Sequence, residues 1–103
     1  MKKLILIILL FNGSFFFSQK TFVPDDHFEQ YLIDNSYDDV LDDSVLTSNI
    51  SGLTQLSVIN LFINDLTGIE AFESLEYLNC KTNYIVTLDL SANTSLLELI
   101  ATM

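Results

Sequence analysis

The run Leu75-Glu76-Tyr77-Leu78-Asn79-Cys80-Lys81-Thr82-Asn83-Tyr84-Ile85 places apolar residues at offsets 0, 3, 5 and 10 and an asparagine at offset 8. The first three offsets recur at Leu53-Leu56-Val58 and again at Leu96-Leu99-Ala101, at intervals of 22 and 21 residues. Self-similarity at such a period means stacked supersecondary units, each too small to bury its own apolar face. Within a unit, the alternation Leu78-x-Cys80 predicts a short strand whose two residues point to one side. Asn83 then stands where the chain must turn. There its side chain can hydrogen-bond backbone groups of its own and neighbouring units and so be buried at little cost. The single cysteine, Cys80, occupies the third apolar position, where it reads as a small buried hydrophobe of structural role.

The halves of each unit that follow the strand differ. Ile63-x-x-Leu66-x-Gly68-Ile69-Glu70-Ala71-Phe72 predicts a bend and one turn of 3₁₀ or α helix. Ile85-x-x-Leu88-x-Leu90-x-x-Asn93 repeats the strand spacing within ten residues, too tight for a helix, and predicts an extended outer side. Asn93 is read, like Asn83, as structural.

Upstream of the repeats lies an acidic block, residues 19–49, holding eight of the fourteen acidic residues. Pro24-Asp25-Asp26 can open a helix, with Asp25 or Asp26 as cap and Glu29 favoured in the first turn by the helix dipole. Phe28, Tyr31 and Leu32 form its apolar face, and Asn35-Ser36 can end it. A stack of repeats needs an atypical terminal unit with a polar outer face, and this block is predicted to be that solvated cap.

Residues 1–18, MKKLILIILLFNGSFFFS, combine a basic start with a short apolar core. That is the pattern of a secretory signal, and it is too short and too interrupted to span a membrane. Loss of Lys2 and Lys3 with such a signal would move the formal charge from −10 to −12. Lys20 and Lys81 are then the only fixed positive charges. This balance excludes nucleic acid and anionic lipid as partners.

The linked phrases Asn49-Ile50-Ser51-Gly52-Leu53-Thr54, Asp65-Leu66-Thr67-Gly68-Ile69-Glu70-Ala71-Phe72 and Leu88-Asp89-Leu90-Ser91-Ala92-Asn93 resemble secreted bacterial leucine-rich-repeat proteins. So does the start Thr21-Phe22-Val23-Pro24-Asp25-Asp26-His27-Phe28. The first repeat has the style of internalins, and the likeness covers residues 20–100. It implies an α/β solenoid with short parallel β-strands and a small helical N-terminal cap, exported as a secreted or cell-surface binding scaffold. The expected organisation is a signal at 1–18, a cap at 19–49 and repeats at 50–103, divided 53–74, 75–95 and a partial 96–103. The sequence departs from the pattern at Leu61, which replaces the turn asparagine, and at Ala101. It stops before another turn asparagine could appear, so we expect a C-terminally truncated array, with edge-to-edge self-association as a possible use of the last unit.

In such arrays the residues between the inward positions line the concave ligand face. They are Gln55, Ser57 and Ile59, then Tyr77, Asn79 and Lys81, then Glu98, Ile100 and Thr102. The expected partner is a protein or a glycan. The alternatives are a non-functional fragment of a longer repeat protein and an acidic calcium-binding module. For the last, Asp34, Asp38, Asp39, Asp42 and Asp43 could gather oxygens, although their spacing fails the EF-hand loop. Catalysis is not expected. His27 is the sole histidine, no serine carries a nucleophile motif, and one His with one buried Cys cannot make a zinc site. No cofactor is expected.

Overall fold

The structure, a computed structural model, describes residues 19–102. The segment read as a secretory signal lies outside the described residues. Leucines one repeat apart lie side by side. Strand β3 (Gln55–Ser57) pairs in parallel with β4 (Tyr77–Asn79), and β4 with β5 (Glu98–Ile100). The register sets Leu56 beside Leu78 and Leu78 beside Leu99. A slip of one residue would turn every leucine of a strand outward, so burial fixes this register. Leu56 and Leu78 are buried, with Val58 and Cys80 next to them, whereas Leu99 is 44% exposed. Among the described residues β5 has one strand neighbour, β4.

The two connections differ, and the first closes the helical turn that its sequence predicts. After β3 the chain turns through Asn60 and Phe62, both left-handed, passes the buried Ile63 and Leu66, and closes one 3₁₀ turn, Ile69–Ala71. After β4, residues 84–90 form neither helix nor strand, and Ile85 is buried in the core. Gly68 enters the 3₁₀ turn with φ +110°, in the region that disfavours side chains. A Cβ there would lie 2.9 Å from the Phe22 carbonyl oxygen and 2.9 Å from Val23 Cγ2. Gly68→Ala is therefore expected to lower stability by about 2 kcal/mol, through backbone strain plus overpacking. Urea denaturation showing no loss would contradict this close approach.

The cap holds helix α1 (Asp26–Asp34), begun by Asp25, whose Oδ1 accepts the N–H groups of His27 and Phe28. The helix ends at Asn35, as its sequence suggests. Phe28 and Leu32 are buried and Tyr31 is half-buried against the same core. Phe28 stacks on Phe72 from the first repeat, ring centroids 6.0 Å apart. A short helix α2 (Thr47–Ile50) leads into the repeats.

Two features correct the sequence reading of this block. The cap also contains an antiparallel strand pair, β1 (Lys20–Phe22) with β2 (Ser44–Leu46). The block is also not uniformly solvated, because Glu29 is fully buried. Its carboxylate accepts the backbone N–H groups of Asp42 (3.2 Å) and Asp43 (3.0 Å), which tie the loop to the helix. The cap joins the repeats through Asp25, whose second oxygen accepts from the N–H groups of Asn64 (2.8 Å) and Asp65 (3.0 Å).

Candidate interaction face

Side chains between the inward positions stand on the opposite side of the parallel sheet. The register aligns Gln55, Tyr77 and Glu98 in one column and Ser57, Asn79 and Ile100 in the next. Gln55, Ser57 and Glu98 are exposed, and Tyr77 and Ile100 are partly so. Ile59, Lys81 and Thr102 follow the strands at equivalent places and are exposed. Gln55, Tyr77 and Glu98, with Glu76 and Leu97, line a shallow cleft of about 480 Å³. The cleft offers an amide, a phenol and two carboxylates beside an exposed leucine. That mixture suits contact with a polar macromolecular surface more than enclosure of a small apolar ligand.

Asn79 corrects the expectation of an open row, for it is buried. It lies in the central strand, flanked on both sides, and its short side chain bonds within the protein. Nδ2 donates to the Tyr77 hydroxyl at 3.3 Å, and Oδ1 accepts from the Lys81 N–H at 3.3 Å. Its contribution to this face is to orient Tyr77.

Beneath the face, Asn83 joins two repeats. Its Oδ1 accepts from the N–H groups of Leu61 (2.9 Å) and Ile63 (3.1 Å), and Nδ2 donates to the carbonyls of Val58 (2.6 Å) and Cys80 (3.0 Å). The preceding repeat, which has Leu61 in place of an asparagine, thus has its turn satisfied by its neighbour's side chain. Asn93 is buried and donates to the carbonyls of Ile69 (2.9 Å) and Phe72 (3.2 Å). The Cys80 thiol is buried, and that burial pushes its pKa up, away from the reactive thiolate.

The carboxylates of the cap gather more tightly than their spacing suggests. Oxygens of Glu29, Asp38 and Asp42 lie within 4.8 Å of one another, as do those of Asp26, Glu29 and Asp43. Asp34 and Asp39 join neither group. Such a set could hold a divalent cation or share a proton. Burial, helped by a hydrogen bond to Asp38, pushes the Glu29 pKa from 4.5 up to about 7, which favours the proton. Asp38 Oδ2 is buried without a partner, and a Glu29 proton would supply one.

Sequence reasoning missed the burial of Glu29, although the residue adjoins Phe28 and stands one turn before Leu32. It also missed a pair of exposed rings, Phe62 and Tyr84, whose interval of 22 residues is that of the repeat itself. His27 is exposed and packs near Phe62.

No family model matches the chain. Over 71 residues, 69% of its length, the chain is 38% identical to internalin J of Listeria monocytogenes serotype 4b (strain F2365). That match spans 8% of internalin J. Among solved structures, an internalin (InlF) from Listeria monocytogenes strain 4b F2365 superposes with a TM-score of 0.69 at 26% identity, covering 78% of this chain and 24% of that one. The functional domain of InlJ from Listeria monocytogenes, which includes a cysteine ladder, gives 0.64 at 30% identity, covering 84% and 21%. The resemblance read from the sequence is thereby met in both sequence and structure. The chain is internalin-like and of the leucine-rich-repeat kind.

Proposed function

We propose that this internalin-like leucine-rich-repeat chain forms part of a solenoid binding scaffold, exported to the cell surface or beyond, that engages a protein or glycan through its strand face. The observation that carries the reading is the in-register stacking of Leu56, Leu78 and Leu99, which frees Gln55, Tyr77 and Glu98 to form one solvent-facing column. Lys81, one of two lysines among the described residues, adds a positive point at the edge of an otherwise acidic surface. Its charge would steer an acidic group of the partner onto the face. Tyr77 supplies ring area with a hydroxyl at its tip, the combination that dominates protein and glycan contacts. No helix among the described residues is long and apolar enough to cross a membrane. The work assigned to the chain is recognition without chemistry.

The test is a screen of the purified protein against arrayed extracellular proteins and glycans. At least one ligand found by this screen is expected to lose about tenfold or more in affinity with Tyr77→Ala combined with Lys81→Glu. Both side chains lie outside the core, so the double variant should keep the parent's melting temperature. Undiminished binding would remove this face from the function.

A further inference from the structure

A second surface, on the turns that follow the strands, has its own chemistry. Phe62 holds φ +62°, a left-handed conformation that is an outlier for a bulky residue, and its ring is 55% exposed. It therefore carries backbone strain without returning buried area to the core, a combination that points to function. Tyr84, one repeat on, is 61% exposed, and its ring centroid lies 6.1 Å from that of Phe62. His27 on α1 stands 6.1 Å from Phe62 on the other side, so three rings run from the cap across two repeats.

Between α1 and the Phe62 turn is a cleft of about 280 Å³, whose walls include Tyr31, Leu61 and Phe62. The acid among its lining residues is Asp34, whose Oδ1 is held by Gln30 Nε2 at 2.9 Å. Neither lysine of the described residues lines it. The volume suits one long side chain better than a whole small molecule. Apolar walls with a carboxylate match an aliphatic stem carrying a cation, and exposed rings beside them add cation–π attraction. The chain's net charge of −10 favours the approach of a basic partner. Successive rings are tilted by 53° and 32°, so they make no flat platform for sugar rings.

We propose that this surface docks a lysine- or arginine-bearing peptide segment of a partner protein. The basic side chain enters the cleft toward Asp34, and the flanking apolar residue rests on Phe62 and Tyr84. The surface is separate from the strand face, so a partner could engage either alone.

The experiment is selection of a displayed random-peptide library on the immobilised full chain, followed by titration of the selected peptides as synthetic products. Selected peptides are expected to carry Lys or Arg next to an aromatic or aliphatic residue. Their affinity should fall about tenfold or more with Phe62→Gly, with Asp34→Asn, and when citrulline replaces arginine in the peptide. Glycine suits the φ of position 62, so Phe62→Gly should retain or raise the melting temperature, which separates lost binding from lost folding. Tyr77→Ala with Lys81→Glu should leave these affinities unchanged. Selection of peptides without basic residues, affinity indifferent to Phe62→Gly, or dependence on Tyr77 and Lys81 would overturn the proposal. So would a neutral glycan that binds through Phe62 and Tyr84.

Discussion

Replacing Asn83 with alanine is expected to lower the unfolding free energy by about 3–5 kcal/mol. This is a large part of the roughly 5–15 kcal/mol available to a domain. The side chain is buried, and it serves two backbone N–H groups and two buried carbonyls from two different repeats. Alanine leaves all four without their partner, and the cost of an orphaned buried group exceeds the net gain of making its bond. Water entering the space would recover part of the loss, which is why the figure stays below the sum over four groups. Asn83→Asp is informative as well, since it keeps the acceptor for Leu61 and Ile63 but turns a second oxygen toward the carbonyls of Val58 and Cys80. It should be about as damaging as alanine above neutral pH. Urea denaturation followed by circular dichroism decides the matter. A loss below about 1 kcal/mol for Asn83→Ala would mean that the turn does not depend on this side chain.

The buried carboxylate of the cap should make stability fall as pH rises. The Glu29 pKa is lifted from 4.5 to about 7, first by burial and then by its hydrogen bond to Asp38. The N–H groups of Asp42 and Asp43 act in the opposite direction. The folded chain therefore holds a proton that the unfolded chain has already released. The resulting stabilisation is complete below about pH 4.5 and is lost as pH climbs through about 7, a change on the order of 2–3 kcal/mol.

The charged groups around Glu29 reinforce this direction. Asp26 on the same helix and Asp38, Asp42 and Asp43 on the loop are all acidic, while Lys20 on β1 acts on Asp42. Hydrogen bonds from Ser44 lower the Asp42 pKa, so that group loses its contribution only at more acidic pH. Asp38→Asn supplies a direct check. Its Oδ1 accepts the Asp39 N–H, while Oδ2 is buried and unpartnered. An amide there would donate permanently to ionised Glu29. The variant should therefore be more stable than the parent near pH 8 and show a flatter profile from about pH 5 to 8. A parent as stable near pH 8 as near pH 5 would refute the shared proton.

The repeat framework was legible because a buried column imposes its period on the sequence. Leu56, Leu78 and Leu99 could be aligned by counting alone. The start and end of α1 were legible for a similar reason, since capping places Asp25 and Asn35 at fixed offsets from the apolar face. The β1–β2 pair was not legible. Each strand is three residues long, and more than twenty residues separate the partners, so no local alternation announces the pairing. Glu29 was read from helix-dipole preference, which favours an acid in the first turn whether or not tertiary packing covers it. Asn79 has the right parity for the open face, but parity does not reveal that the central strand of three, with Tyr77 bent toward it, leaves a short side chain covered. Phe62 escaped notice because an apolar residue next to Leu61 and Ile63 reads as core, and only the left-handed turn throws its ring outward. The concave-face residues are placed by the register, while their partner is a matter of chemistry that no strand spacing encodes.

Asp25 has a consequence for how the chain acquires this shape. One carboxylate nucleates the helix with one oxygen and fastens residues 64 and 65, some forty positions downstream, with the other. The start of the helix and the anchoring of that distant turn thereby depend on the same side chain. Removing that one carboxylate would therefore loosen the first turn of the helix and the turn at residues 64 and 65 together.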